Sequence, residues 1–131
     1  MESKTVMGQT TGNRRAVLYC RVAADSDGGR SLDMQMENLR RFAEQQGYTV
    51  VEEISEVAKG SSLRRPGIRR VYQLGYNKAA DFVLTESSSR FARPVNLLLR
   101  FTDKLDGYGV QAISRREGPL DALLRPFRFL E

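Results

Sequence analysis

The chain has 131 residues, 40% of them hydrophobic, which suffices for one domain with a single core. Its formal net charge of +5 is compatible with a polyanionic partner, while the absence of histidine and the single cysteine exclude the usual zinc sites, histidine-based triads and an internal disulfide. No apolar run reaches the length of a membrane span and no secretory signal is evident, so we expect a cytoplasmic protein without a membrane partner.

The predicted elements begin after a polar N-terminal segment. The first 14 residues, MESKTVMGQTTGNR, show no periodicity, and we expect a flexible tail ahead of one domain spanning residues 15–131. The apolar run AVLYCRV (16–22) predicts a buried strand. Ser31 is a candidate N-cap for a helix over LDMQMENLRRFAEQQ, whose apolar residues share one face and which ends at Gly47.

Three further strands are predicted, over YTVVEEI (48–54), DFVLT (81–85) and VQAI (110–113). Helices are predicted between them, beginning near Pro66 and at Pro94, because the fixed φ of proline suits a first helical turn. Strands that alternate with helices indicate an α/β fold. We therefore expect a three-layer sandwich with a mostly parallel sheet of four to five strands.

The C-terminal segment contains a short amphipathic stretch. Pro119 and Pro126 interrupt any long helix after the last predicted strand. The apolar residues of LDALLRPFRF can fold back on the core or meet a partner, and the first alternative is favoured.

Arginines cluster in the loops at one edge of the predicted sheet. In a parallel sheet with right-handed crossovers, the C-terminal ends of the strands share one edge, where ligands bind. Guanidinium groups bind phosphate through paired hydrogen bonds and stay charged, so several of them at this edge would stabilise a phosphoryl transition state. The polar residues of these loops are Arg21, Lys59, Arg64, Arg65, Ser87, Ser88, Ser89, Arg90 and Arg93.

Four short motifs occur in a fixed order: YCRVA at the first strand end, SLDMQ at the first helix start, GSSLRRP in the second loop and SRFAR in the third. With these motifs, the segment 15–113 resembles the N-terminal catalytic domain of serine recombinases, the group of resolvases, invertases and large serine integrases. In that family a serine hydroxyl attacks a DNA phosphate and forms a 5′-phosphoserine link. Arginines hold the scissile phosphate, and neither a metal nor another cofactor takes part.

The resemblance carries over to individual residues. Ser89 stands where many members have aspartate, and Ala23 stands at the position of the nucleophilic serine. The resemblance implies that the catalytic arginines are Arg21, Arg65, Arg90 and Arg93. It further implies that these four contact DNA phosphates together with Gln35 and Ser89.

Ala23 determines the predicted activity, because a methyl group cannot attack phosphorus. An alanine encoded by the gene would make the protein a degenerate relative, which we favour, whereas an introduced one would trap a DNA complex. We therefore expect a catalytically inactive homologue of the recombinases of mobile elements, which act in DNA recombination and integration. Its partners would be DNA backbone phosphates, a second copy of itself or an active recombinase.

Two other functions compete with this hypothesis. Ser26, Ser87 or Ser88 could replace the missing nucleophile, but only with the oxygen held in line with the leaving group. Alternatively, the domain could be a flavodoxin-like module that binds a phosphorylated small ligand or a protein, although the pair Gly28-Gly29 is a weak phosphate-loop signal. The domain as predicted contains neither the long dimerisation helix nor the DNA-binding domain of the family.

Overall fold

The computed structural model describes residues 14–130. The predicted flexible tail, except for Arg14, lies outside the described residues and stays a prediction. Arg14 itself is fixed against the domain: its guanidinium lies 4.2 Å from the centroid of the Tyr48 ring and donates a hydrogen bond of 2.7 Å to the Gln46 carbonyl.

Strands and helices alternate as the sequence predicts. A 3-10 turn, Ser88–Arg90, follows the third strand, and a 3-10 segment, Arg125–Leu130, follows the last helix. The strands and helices are β1 (Arg15–Val22), α1 (Arg30–Gln46), β2 (Thr49–Val57), α2 (Pro66–Tyr76), β3 (Phe82–Thr85), α3 (Val95–Tyr108), β4 (Gln111–Ser114), β5 (Gly118–Pro119) and α4 (Leu120–Leu124).

The five strands form one sheet in the order β2-β1-β3-β4-β5. β1 pairs in parallel with β2 and with β3, β3 pairs in parallel with β4, and only the short β5 runs antiparallel. The strand order reverses between β1 and β3, so the loops that follow these two strands flank the usual ligand crevice of an open parallel sheet. The predicted mostly parallel α/β sheet is confirmed.

Helices cover both faces of the sheet, which makes a three-layer sandwich. Met36 and Leu39 of α1 pack on one face against Leu18 and Cys20, and burial raises the pKa of the Cys20 thiol to about 12. The opposite face carries the larger core, which α2, α3 and α4 cover. Because side chains alternate along β1, Arg21 lies on the same face as Tyr19, beneath α2 and α3. None of the described helices has the length and apolarity that crossing a membrane would require.

Several predicted boundaries shift for local reasons. α1 begins at Arg30, with Gly29 as N-cap at φ 87°, a conformation that favours glycine; the predicted cap Ser31 instead donates its backbone N–H to Asp27 Oδ2 at 3.0 Å. Pro94 is the N-cap of α3 and not its first residue, and the helix begins at Val95.

The C-terminal segment folds onto the core. Leu120 and Leu124 are buried in the larger core cluster, as the favoured alternative predicts, whereas Phe127 is 39% exposed. Their helix α4 packs against α3 and β4. Leu120 and Leu124 therefore belong to the core of this domain, while Ala122 is exposed and Leu123 is partly buried.

Candidate active site

Arg21 lies at the centre of the arginine-rich edge of the sheet and is only 1% exposed. Its guanidinium donates three hydrogen bonds to carbonyls from two loops: Nη1 to Ala58 at 2.7 Å, Nη2 to Ser89 at 2.6 Å and Nε to Arg90 at 2.8 Å. Burial, and secondarily the nearby Arg65, lowers the pKa of Arg21. Arg21 thus ties the end of β1 to the loops after β2 and β3.

Arg65 belongs to a buried polar network that the sequence does not reveal. Its Nε lies 3.3 Å from Glu56 Oε2, and its Nη2 donates to the Tyr19 hydroxyl at 2.8 Å. The Tyr19 hydroxyl in turn donates a short hydrogen bond to Glu56. Burial, followed by the hydrogen bond to Glu56, raises the pKa of Tyr19. The carboxylate also accepts the N–H of Gly67, so it anchors the start of α2.

The arginines of the third loop close the cluster. Arg90 accepts hydrogen bonds at its carbonyl from Arg21 and from Arg65, and its own Nη1 donates to the Arg21 carbonyl at 3.2 Å. The buried Nε of Arg90 has no hydrogen-bond partner among residues 14–130. Arg93 is exposed, and its guanidinium makes no hydrogen bond or ion pair with the part of the chain that the structure describes. The cluster thus combines guanidinium groups that are hydrogen-bonded to the protein with others that have N–H donors free of a described partner.

Gly60, in the second loop, lets the chain approach the cluster closely. A Cβ at this position would lie 2.7 Å from Nη2 of Arg21 and 3.0 Å from Cγ of Arg93. The Gly60 carbonyl accepts the backbone N–H of Arg93 at 3.0 Å. The glycine of the GSSLRRP motif is therefore required by packing against two of the predicted site arginines.

Gln35 holds the backbone at the end of β1. Its Oε1 accepts the Arg21 N–H at 3.2 Å, and its Nε2 donates to the Arg21 carbonyl at 3.1 Å. Gln35 is 5% exposed. The side chain thus fixes the strand end two residues before Ala23, which itself lies exposed at the start of the following loop.

The serine-rich loop after β3 is held in place by two carboxylates. Glu117 accepts the backbone N–H of Ser88 at 2.6 Å and its hydroxyl at 3.0 Å. Glu86, buried beside this loop, pairs with Arg115 and accepts a hydrogen bond from Asn38. Burial alone would raise the pKa of Glu86, but the hydrogen bonds from Arg115 and Asn38 outweigh it, and the pKa lies below its ordinary value.

A cavity of about 280 Å³ opens between the start of α1 and this loop. Gln35, Ser87 and Arg90 contribute to its walls, together with Arg30 and Arg116. The hydroxyl of Ser87 lies 3.1 Å from that of Ser89. The cavity therefore lies beside the cluster, and its lining combines three arginines and two serines with the acidic residues Asp27 and Glu86.

The structure brings together the arginines that the motifs single out. Arg21, Arg65 and Arg90 are linked by direct hydrogen bonds, Arg93 lies beside Arg21 at Gly60, and Gln35 and Ser89 contact Arg21. The residues that sequence reasoning missed are those that hold the cluster: Tyr19, Glu56, Glu86, Arg115 and Glu117. Phosphate binding by the six predicted residues stays a prediction.

Comparisons with known proteins identify this architecture as the catalytic domain of a serine recombinase. The model of the resolvase N-terminal domain matches residues 16–125, and the chain belongs to that family. No curated protein sequence matches the chain significantly.

Solved structures agree with this assignment. The N-terminal catalytic domain of TP901-1 integrase is 29% identical with a TM-score of 0.74, over 79% of this chain and 79% of that one. The C-terminal catalytic domain of ISC1926 TnpA, an IS607-like serine recombinase, is 29% identical with a TM-score of 0.71, over 76% and 67%. A resolvase family site-specific recombinase from Streptococcus pneumoniae, 24% identical with a TM-score of 0.73 over 88% and 86%, shares the fold.

Proposed function

We propose that this chain is a recombinase-type domain that binds DNA backbone phosphates at its arginine cluster without cleaving DNA. The proposal includes pairing with itself or with an active recombinase, in which this chain would contribute DNA contacts and no strand cleavage. The function would lie in DNA recombination, as it does for the serine recombinases to which the chain is similar.

The observation that carries the proposal is the position of Ala23. It follows the strand end that Gln35 and Arg90 hold through the backbone of Arg21, where the resemblance places the nucleophilic serine. Covalent catalysis requires a lone pair on oxygen, sulfur or nitrogen at that position, and the alanine methyl has none. The arginines near this position are present, but the hydroxyl group that would form the ester with DNA is absent.

The contacts divide the four arginines into two roles. Arg21 and Arg65 are buried, and they donate to loop carbonyls and, for Arg65, also to Tyr19 and Glu56, so they shape the site. Arg93 is exposed without a partner among the described residues, and it can therefore reach a phosphate oxygen without breaking existing bonds. Arg90, part-exposed and joined to the cluster through one Nη, would contribute its remaining donors.

The nearby serines are poor substitutes for the missing nucleophile. The hydroxyl of Ser88 donates to the Glu117 carboxylate at 3.0 Å, and no described contact joins it to any of the four site arginines. Ser26 lies exposed in the loop after β1. Ser87 borders the cavity that Arg90 also lines. The experiment must therefore control for attack by the Ser87 hydroxyl.

Incubation with supercoiled DNA is expected to yield no covalent protein–DNA adduct from the unaltered chain, because no hydroxyl replaces the missing serine. Ala23→Ser is expected to produce an adduct that survives denaturing electrophoresis. Ser87→Ala in the unaltered background serves as the matched control. An adduct from the unaltered chain that disappears in Ser87→Ala would contradict the proposal, and failure of Ala23→Ser to react would remove Ala23 from the nucleophile position.

Duplex binding is expected to weaken steeply with salt, because arginine–phosphate contacts release condensed counterions. Arg93→Gln is expected to weaken the salt dependence: the negative slope of log K against log salt becomes shallower by about 0.9, the contribution of one phosphate contact. Arg41→Gln, a charge change on the exposed surface of α1, is the control and should leave the slope nearly unchanged. Absence of duplex binding at low salt would eliminate the DNA-binding part of the proposal.

A further inference from the structure

A second surface with an unassigned role lies on the outer side of α2 and α3. A groove of about 580 Å³ runs between the two helices, and we call it the tyrosine groove. Its walls include Arg69, Tyr72 and Tyr76 from α2 and Lys104 and Tyr108 from α3. None of these residues takes part in the arginine cluster.

Three tyrosine rings form one aromatic cluster in the groove. The Tyr108 ring lies 5.9 Å from that of Tyr76 and 6.4 Å from that of Tyr72, in edge-on arrangements that hold the rings in place. Tyr76 is nevertheless 71% exposed, the largest exposure among the large hydrophobic residues of the described chain. An aromatic ring that is fixed at one edge and open to solvent is suited to stacking against a planar ligand.

The charges of the groove are unbalanced. Arg69 and Lys104 make no ion pair with any residue that the structure describes, and the Lys104 ammonium lies 5.0 Å from the centroid of the Tyr72 ring. Arg70 is neutralised by Glu52 through two hydrogen bonds of 2.7 and 2.8 Å. Among the described residues that line the groove there is no carboxylate. The groove therefore favours an anionic ligand.

The groove starts near the arginine cluster in the sequence but contains none of the cluster arginines. It begins at Pro66, the residue that follows Arg65, and extends along α2 to Tyr76. Ten residues of α-helix cover about 15 Å. Most of the groove therefore lies apart from the cluster, along the outer side of α2.

We propose that the tyrosine groove binds single-stranded DNA, with a base stacked on Tyr76 and the backbone paired with Arg69 and Lys104. Proteins that bind single strands combine a basic groove with exposed aromatic rings, since every base presents a flat face to stack on. In a duplex the bases are already stacked on one another, so a ring at a groove wall has no free base to contact. This site is separate from the arginine cluster and does not depend on it.

The test uses a fluorescent oligothymidylate, which forms little secondary structure, and a duplex of equal length in anisotropy titrations. Tyr76→Ala is expected to weaken oligothymidylate binding about tenfold through loss of one stacking contact, whereas Tyr76→Phe keeps the ring and should bind normally. Arg69→Gln is expected to make the negative slope of log K against log salt for oligothymidylate shallower by about 0.7, the contribution of one phosphate of a single strand. Duplex binding should be unchanged in all three variants.

Other outcomes distinguish single-strand binding in the tyrosine groove from DNA binding at the arginine cluster. Oligothymidylate binding that Tyr76→Ala and Arg69→Gln leave intact, but that Arg93→Gln weakens, would overturn the groove while retaining the arginine cluster. A protein that binds oligothymidylate through Tyr76 but no duplex would support the groove and reject duplex binding at the cluster. Conversion of a dimer to a monomer by Tyr76→Ala, measured by light scattering, would show that a second copy occupies the groove and would overturn the proposal.

Discussion

Replacing Arg65 with methionine is expected to lower the free energy of unfolding by about 3–5 kcal/mol, the range for removing one partner of a buried ion pair. The Arg65 side chain is 4% exposed and that of Glu56 is 11% exposed. Without the guanidinium, the Glu56 carboxylate keeps the Tyr19 hydroxyl and the Gly67 N–H but loses its only cationic partner among the described residues. Urea unfolding followed by circular dichroism measures the effect.

The neighbouring residue supplies the control. Arg64 is exposed, and its Arg64→Met variant should change stability by no more than about 0.5 kcal/mol, as surface substitutions usually do. Combining Arg65→Met with Glu56→Gln removes both charges and should cost less than the sum of the single changes, because no charge then remains buried alone. Equal effects of Arg64→Met and Arg65→Met would show that the buried network contributes nothing to stability.

The architecture could be predicted from the sequence because the apolar periodicities and the turn residues agree with each other. Gly47 ends α1 at φ 78°, as the pattern predicts, and Pro66 begins α2. The cap of α1 was predicted wrongly because the choice depends on backbone geometry: Gly29 adopts a left-handed conformation, and Asp27 then lies within reach of the Ser31 N–H. β5 has only two residues and thus carries no periodic signal.

The candidate site could be predicted only in outline. The motifs place arginines in loops at one sheet edge, and topology brings these loops together. The motifs do not reveal which guanidinium groups are buried and bonded to the protein itself, because the acceptors on Ala58, Ser89 and Arg90 are backbone carbonyls with no signature in the sequence. Glu56 was missed for a related reason: β2 was predicted to end at residue 54, and it extends to Val57.

Arg21→Met is expected to destabilise the domain by about 3–5 kcal/mol, since each unpaired buried carbonyl costs about 1–3 kcal/mol and water relieves part of that cost. The carbonyls of Ala58 and Ser89 would lose the Arg21 donor, and that of Arg90 would keep only Arg65 Nη2 at 3.4 Å. Arg21→Lys should recover only part of the loss, because an ammonium cannot reproduce the fixed fork of a guanidinium. Urea unfolding again measures the effect on stability.

Hydrogen exchange distinguishes a structural arginine from a phosphate ligand. In Arg21→Met, the amides of Ala58 and Arg93, which donate to Val22 and Gly60, should lose protection, because the loops that carry them are no longer tied to β1. Arg93→Gln, with its exposed side chain, should leave both the protection and the stability unchanged while weakening duplex binding. If Arg21 served only to bind phosphate, the two variants would behave alike: full stability, full protection and weaker DNA binding. The geometry of the three carbonyl contacts predicts that Arg21→Met and Arg93→Gln behave differently.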